Sequence, residues 1–483
     1  MEERIDDDMK YFDFKQVLLI ASFFCFSFFL GINLNLPSLD MGWMDGDHDK
    51  PNVIIVDIDR MTESHMSCYG YHRNTTPNMC RFGEENIMVE NAISHSGWTG
   101  SSLASLFSGQ YVGTHDVKAF NDTLENESRT MAEVFSENGY STVAYPSIPT
   151  KDKKFMNREY NFQQGFDSYG YGHYNLKDHE EEIDSYIRSN DDRPFFMFVQ
   201  SYKPHRYLHF NATYRDYNFQ NESYSGVLHD MPPRAEGQVA TDIVRNNGQY
   251  QVLVSDGENV NITERDIEHV KATYDDLLYD TDQSFGDLIR LLKDRGVYSE
   301  SIIILTANHG EVIDTMSFSG NERFGHGVVY EDQINVPFMM HVPEREKPLD
   351  IDRQIEFVDV FPTLLELTDT EFGDERELML QGESFGHLIE GDSDFPLKED
   401  GVENPQENLT MISDYGYKIH ALRNNSWKYV RFNPDQEMLF NLEKDPKEHN
   451  NVAEEYPKLT DKLSQELDQK QQRNQILHSR IYG

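Results

Sequence analysis

Residues 52–59, NVIIVDID, and residues 301–311, SIIILTANHGE, decide the fold of this chain. Each is a short β-branched run that stops abruptly at polar residues, as a buried parallel strand does when it delivers ligands at its carboxyl end. A third stretch, HSGWTGSSLASLFSG at 95–109, opens a helix directly after Trp98 and Thr99. Brought to one rim of a wound sheet, Asp57, Asp59, Thr99, Asn308 and His309 could build a metal-assisted ester-cleaving centre, which is the expectation they raise.

The surrounding chain alternates strands and helices. TPNMCRFGEEN at 76–86 reads as a helix, and TMAEVFSENGYSTVAY at 130–145 as helix, glycine stop and strand. PFFMFVQSY at 194–202 is a buried strand. The amphipathic run TYDDLLYDTDQSFGDLIRLLKDRG, ended by Gly296, makes an αβ unit with the strand at 301. Residues 206–262 are rich in Asn, Tyr and Gly and read as a loop-rich insertion at the substrate entrance. The acidic segment 392–407 is a candidate linker, followed by antiparallel strands at 412–432 and 437–446 and a helix that is polar on most faces. The fold class is α/β, with a large, mostly parallel central sheet flanked by helices and a small C-terminal α+β subdomain. The expected domains are 1–45 (leader, membrane helix and hinge), 46–400 (catalytic) and 401–483 (C-terminal).

The 483 residues carry 43 Lys and Arg against 85 Asp and Glu, a formal charge of −42. That excess argues against nucleic acid or an anionic membrane surface as a partner. It fits a halophilic source, because about 1 M salt screens carboxylate repulsion over ~3 Å. Cys25 lies in the apolar N-terminal segment, so Cys68 and Cys80 leave one plausible disulfide.

Val17 to Ile32 is uncharged, and apolar character continues to Leu36, close to the ~20 residues that cross a bilayer. Arg4, Lys10 and Lys15 precede it and only Lys50 follows closely, so the positive-inside bias leaves the N-terminus cytoplasmic and the rest outside. A cleaved signal peptide competes with this single-pass anchor; the anchor is favoured because the run exceeds a usual signal core and no clean cleavage site follows. Sequons at Asn74, Asn121, Asn126, Asn211, Asn221, Asn261, Asn408 and Asn424 suit an exported glycoprotein.

From Pro51 to Val452 the chain resembles the sulfatase family of the alkaline phosphatase superfamily. PNVIIVDIDRMTESHMSCYGYHRNTTPNM resembles its opening segment and NAISHSGWTGSSLASLFSGQY its nucleophile segment. NGYSTVAY, YKPH, TANHGE, FGHG, NVPFMMHVP and VDVFPTLLEL follow in family order, and WKYVRF with EMLFNLEKDPKEHNNV resembles its C-terminal subdomain. The resemblance implies an alkaline-phosphatase-like sandwich and a divalent cation, Ca, Mg, Mn or Zn, that polarises a sulfuryl or phosphoryl oxygen. Aligned by the family's spacing, Asp59 takes the first metal-carboxylate position, Thr99 the nucleophile position, and Asn308 with His309 the second metal pair. His205 matches a substrate-contacting or leaving-group histidine, and His326 a cationic position near the sulfate.

The departures bear on the chemistry. Thr99 cannot become the formylglycine of fully active sulfatases, yet its hydroxyl can attack directly, which makes phosphoryl transfer as reasonable as sulfate release. Leu103 and Ser101 replace the Arg and Pro of the signature, Arg60 replaces the second carboxylate of the opening pair, and Asn308 the acidic member of the later pair. Asp57, two residues from Asp59 on the same strand face, is a helper ligand or else pairs with Arg60 and leaves no room for a cation. The expected function is a metal-dependent hydrolase of sulfate or phosphate esters, with sulfated or phosphorylated glycans or a small ester as substrate. The alternatives are an inactive glycan-binding or envelope module and a phosphoethanolamine-type transferase.

Overall fold

The computed structural model describes residues 50–483 except 120–121, 148–160, 171–172, 191–192, 209–217, 222, 229–239, 247–248, 255–258, 317–321, 326–328, 374–378, 391–408, 414–418 and 433–435. The apolar segment 17–36, the linker expected at 392–407, His326, and the sequons at Asn121, Asn211 and Asn408 lie outside the described residues. Among the described residues no helix is long and apolar enough to cross a membrane.

In chain order the first half contains β1 (Asn52–Ile58), α1 (Pro77–Glu85), β2 (Ile87–Ile93), α2 (Thr99–Ser108), α3 (Val112–His115), α4 (Met131–Glu137), β3 (Ser141–Tyr145), β4 (Ser168–Tyr169), α5 (Glu180–Ser189) and β5 (Phe195–Ser201). The middle holds β6 (Ala240–Asn246), β7 (Gln249–Val254), β8 (Val260–Ile262), α6 (Glu264–Asp294), β9 (Ser301–Thr306), β10 (Val312–Met316) and β11 (Glu322–Gly325). Then come α7 (Glu331–Ile334), β12 (Asn335–His341), β13 (Leu349–Ile351), β14 (Ile355–Glu356), α8 (Phe357–Leu367), α9 (Gly386–Glu390), β15 (Thr410–Ser413), β16 (Ile419–Arg423), β17 (Trp427–Phe432), β18 (Glu437–Asn441) and α10 (Pro457–Tyr482).

The principal sheet runs β13-β2-β12-β9-β1-β5-β3-β4. β1 is parallel to β5 and β9 on its two sides, in register at Val53 with Phe196 and with Ile302. β12 enters antiparallel between β9 and β2. Every residue of β1, β5 and β9 is buried, which is why each reads as a continuous apolar run rather than an alternating one. Helices cover the sheet: α1 packs on α6, and α2 on α8.

Caps explain the helix ends. Thr130 and Glu133 form a capping box at α4, Thr263 and Asp266 another at α6, and Gly296 adopts φ 75° just beyond the end of α6. The N-terminus of α1 is capped from a distance: Asp282 of α6 accepts from the backbone N–H of Asn78 and Met79 at 2.9 and 2.8 Å. Cys68 and Cys80 form the disulfide.

The expectation of a loop-rich stretch at 206–262 is corrected in its last third. β6, β7 and β8 join β10 and β11 in a five-stranded antiparallel sheet of order β10-β11-β6-β7-β8. The Asn-rich composition hid a hairpin: Asn247-Gly248 separates two alternating runs, a two-residue turn signal. The C-terminal sheet is antiparallel, β15-β16-β17-β18. Helix α10 packs on it through a narrow stripe, Thr460, Leu463, Leu467 and Asn474, so its other faces remain polar. Asn424, one of the sequons, is 1% exposed, and its Oδ1 accepts from the N–H of Ser426 and Trp427.

Candidate active site

The carboxyl ends of β1, β5 and β9 are adjacent, so whatever follows each strand meets its neighbours at one rim. Asp59 leaves β1 with its N–H donated to Ser201 O at 2.9 Å. Asn308 and His309 follow β9 two and three residues after its end. Helix α2 begins at Thr99.

These side chains converge. Thr99 Oγ1 lies 3.4 Å from Asp59 Oδ1 and 3.2 Å from His309 Nε2, and the imidazole is 3.4 Å from the same carboxylate oxygen. His309 Nδ1 sits 2.8 Å from Gly310 O. A carbonyl accepts only, so Nδ1 carries the proton and Nε2 presents its lone pair to Thr99. Burial, reinforced by the Arg60 charge, pushes His309 down to about 3, keeping that lone pair unprotonated.

Helix α2 is fastened to the end of β9. Ser94 and Ser102 hydroxyls both donate to Asn308 O, the former at 2.7 Å, so the turn carrying Thr99 is positioned against Asn308. Asp57 completes the clamp. Its Oδ1 accepts from Asn308 N at 2.6 Å and its Oδ2 from Asn308 Nδ2 at 2.8 Å and Gln200 Nε2 at 2.9 Å. Asp57 therefore turns neither to Arg60 nor to His309. The Asn308 amide nitrogen is thus committed to Asp57, and, against the upward push of burial, the same side chain also lowers the Asp59 carboxyl by hydrogen bonding.

Asn308 Oδ1 and Asp59 Oδ2 are both buried without a hydrogen-bond partner among the described residues. Two oxygen acceptors without a hydrogen-bond partner among the described residues, beside an unprotonated imidazole nitrogen and a hydroxyl, form a donor set that fits a divalent cation. Burial pushes the Asp59 carboxyl up to about 7 against the opposing Arg60 charge, and Asp57 up to about 6 against its bonds to Asn308 and Gln200.

Arg60 adopts φ 64° at the turn out of β1. Its guanidinium meets Glu311 at 3.3 Å, and Glu311 also accepts from the Tyr207 hydroxyl. The cation at the family's second carboxylate position is thus balanced by a fully buried glutamate. Glu311 stood in plain sight at the end of TANHGE, but nothing in the sequence paired it with Arg60.

His205 follows the end of β5, in the segment just after Ser201. Its Nε2 is 2.6 Å from the Tyr202 hydroxyl, with the rings stacked at 3.9 Å. Tyr202 in turn lies in the field of Arg60 and Asp59. A cavity of about 800 Å³ lies elsewhere, lined by residues such as Glu356, Glu383, Lys470 and Arg473, and none of the residues above borders it. Its size does not locate the chemistry, which follows the convergence of functional groups at the strand ends.

The family profile described as Sulfatase matches residues 51–370, well over half of the chain. This chain belongs to the sulfatase family. The C-terminal profile of N-sulphoglucosamine sulphohydrolase matches 321–473. Among sulfatase relatives, arylsulfatase K of Bos taurus is 27% identical over 212 residues, which are 42% of this chain and only 37% of that protein. An ulvan-active sulfatase of Formosa agariphila is 22% identical over 452 residues, 87% of this chain and 81% of its own. A structure solved with its substrate D-glucosamine-2-N,6-O-disulfate superposes at TM-score 0.64 with 19% identity, covering 88% of this chain and 98% of that one. The phosphonate monoester hydrolase of Agrobacterium radiobacter superposes at 0.64 with 16% identity, covering 88% and 96%. The sulfatase fold is shared with both.

Proposed function

We propose that this protein hydrolyses sulfate or phosphate monoesters with Thr99 as nucleophile. The observation that carries the reading is the single hydroxyl lying between His309 Nε2 at 3.2 Å and Asp59 Oδ1 at 3.4 Å. Both neighbours accept in their unprotonated forms and orient the hydroxyl; with Nε2 given to the cation, Asp59 Oδ1 is the acceptor that takes the Thr99 proton as Oγ1 attacks sulfur or phosphorus.

Asp59, Asn308 and His309 would hold a divalent cation through Oδ2, Oδ1 and Nε2, with Asp57 fixing Asn308 rather than serving as a ligand. Such a cation lowers the pKa of a neighbouring hydroxyl and stabilises charge on a non-bridging ester oxygen. Thr99 at the first turn of α2 also places the anion near the backbone N–H groups at the N-terminus of that helix. Arg60 supplies positive charge beside Asp59. His205, steered by Tyr202, is the candidate to protonate the leaving oxygen, and His326 to bind the anion.

The test is turnover of nitrophenyl sulfate, nitrophenyl phosphate and phenylphosphonate esters by the full chain in high salt. Thr99→Ala is expected to lower kcat by about 10²–10⁴. Thr99→Ser should retain activity. Turnover unaltered by Thr99→Ala would remove the nucleophile from this account.

A second reading, a binding module without turnover, is favoured by one feature: Arg60 and Asn308 stand where the family places carboxylates. It predicts no Thr99-dependent release of sulfate or phosphate, and retained binding of a sulfated oligosaccharide.

Sulfated or phosphorylated glycans are the proposed substrates, supported by the glucosamine disulfate and ulvan named for the relatives. Attachment through residues 17–36 with the catalytic part outside the cell is supported by the uncharged run and the preceding basic residues. The protein should remain in the membrane pellet after alkaline carbonate washing, and added protease should digest it on intact cells. Release into the wash would overturn the anchor.

A further inference from the structure

A short 3-10 turn over Leu176–His179 runs directly into α5, and this junction assembles three ligand-type side chains apart from the Thr99 site. His173 Nε2 lies 3.7 Å from Glu182 Oε1, and His179 Nδ1 lies 3.5 Å from Glu182 Oε2. One ligand atom from each of the three falls within 4.8 Å of the others. The two imidazoles meet edge-on with centroids 4.9 Å apart.

His179 is 0% exposed, yet neither of its ring nitrogens has a hydrogen-bond partner among the described residues. Among the described residues, other buried imidazoles have a hydrogen-bond partner on at least one nitrogen: His65 with Asp275, His95 with Met411 O, His115 with Ser105 and His341 with Ser301 O. A buried ring with two idle nitrogens calls for a partner. A simple histidine–glutamate pair does not supply one, because 3.5 Å (His179–Glu182) and 3.7 Å (His173–Glu182) are long for a bond whose usual length is about 2.9 Å. The two imidazoles address different oxygens of Glu182, and one ligand atom from each residue lies close enough to the others for a single ion, with bonds of about 2.0–2.2 Å to nitrogen and oxygen, to join them after small side-chain shifts.

We propose that His173, His179 and Glu182 bind a divalent transition-metal ion of the zinc type. Two imidazoles and one carboxylate suit a borderline ion, whereas Ca²⁺ and Mg²⁺ favour sites made wholly of oxygen. The His173 and Glu182 side chains are 37% and 47% exposed, which gives the ion an entry path and leaves a coordination position facing water.

The site fastens the rim of the sheet. Tyr174, next to His173, accepts the backbone N–H of Tyr202 at 3.0 Å. The Tyr145 ring at the end of β3 packs 5.6 Å from His179, and its hydroxyl donates to Glu182 O at 3.3 Å. A bound ion would hold this segment against the ends of β3 and β5, beside Tyr202 and His205. It acts as a positioning ion and takes no part in attack on the ester.

The experiment is Zn²⁺ titration of the chelator-treated full chain by calorimetry, with Co²⁺ absorption as the probe of imidazole coordination. His173→Ala and Glu182→Gln alter partly exposed side chains and preserve the fold, which the melting profile of each metal-free variant checks. Each is expected to lose one equivalent of Zn²⁺, or at least tenfold in its affinity, relative to the unsubstituted chain. The loss should persist in an Asp59→Asn background, where the Thr99 site is impaired; this separates the two sites. Equal stoichiometry and affinity with and without His173→Ala and Glu182→Gln would overturn the proposal.

Discussion

Asp57 and Asp59 show how one residue's position in a strand sets its duty. The two are separated by one residue at the end of β1, but Asp57 spends its two oxygens on Asn308 and Gln200, while Asp59 keeps Oδ2 unbonded among the described residues. Their ordinary pKa is 3.8, and burial pushes them up to about 6 and about 7. The folded, metal-free protein therefore holds protons that the unfolded chain has released between about pH 4 and 7. Stability contributed by these two groups is present below about pH 4 and is lost as pH rises through the folded pKa values, on the order of a few kcal/mol in all. Urea unfolding of chelator-treated protein at pH 4.5 and 7.5 checks this against an Asp57→Asn, Asp59→Asn variant, which should lack most of that decline. Turnover runs the opposite way. Ionised Asp59 is the useful form, so kcat/KM should rise with pH through about 7 at low divalent metal and the limb should move to lower pH as metal is added. A limb insensitive to metal would separate Asp59 from the cation.

At the scale of elements, helix α1 depends on a neighbour for its cap. Thr76 precedes it without a side-chain cap, Pro77 removes one donor, and Asp282 of α6 accepts the N–H groups of Asn78 and Met79. Asp282→Ala leaves the buried Met79 donor and the half-buried Asn78 donor unsatisfied and is expected to cost about 1–3 kcal/mol in urea unfolding, with little change in KM. A loss below about 0.5 kcal/mol would show that water replaces the cap. This link was invisible in the sequence, because it joins residues 204 apart through packing alone. What was legible had a local cause. The runs at 52–59 and 301–311 are buried on both faces and so declare themselves, and their polar ends carry Asp59, Asn308 and His309 to Thr99. The hairpin at 240–254 was missed because polar strand residues on an antiparallel sheet resemble loop composition. The partners of Asp57 and Arg60, namely Asn308, Gln200 and Glu311, were missed because a strand's face can be inferred from spacing while a side chain's final bond cannot.

For the whole molecule the dominant quantity is charge, 43 basic residues against 85 acidic ones. Several cations are already committed to close pairs: Arg60 with Glu311, Lys428 with Glu448, and Arg423 with Glu331. The remaining carboxylate excess repels itself across the surface in the compact state more strongly than in the expanded chain. Salt removes that difference, since the screening length falls from ~10 Å at about 0.1 M to ~3 Å at about 1 M. The buried pairs are screened far less, so raising salt relieves repulsion without dissolving the ion pairs that hold the C-terminal sheet to Glu331. Thermal unfolding in KCl is therefore expected to move upward by roughly 10 °C or more between about 0.1 M and 2 M, the bulk of the rise falling below about 1 M where screening changes fastest. Chloride is weakly excluded from protein surfaces, so a sulfate salt at equal ionic strength separates screening from salting-out: screening predicts similar shifts at low concentration and divergence only above about 1 M. A melting temperature that stays level or falls across the KCl series would mean that surface repulsion is not what limits this fold.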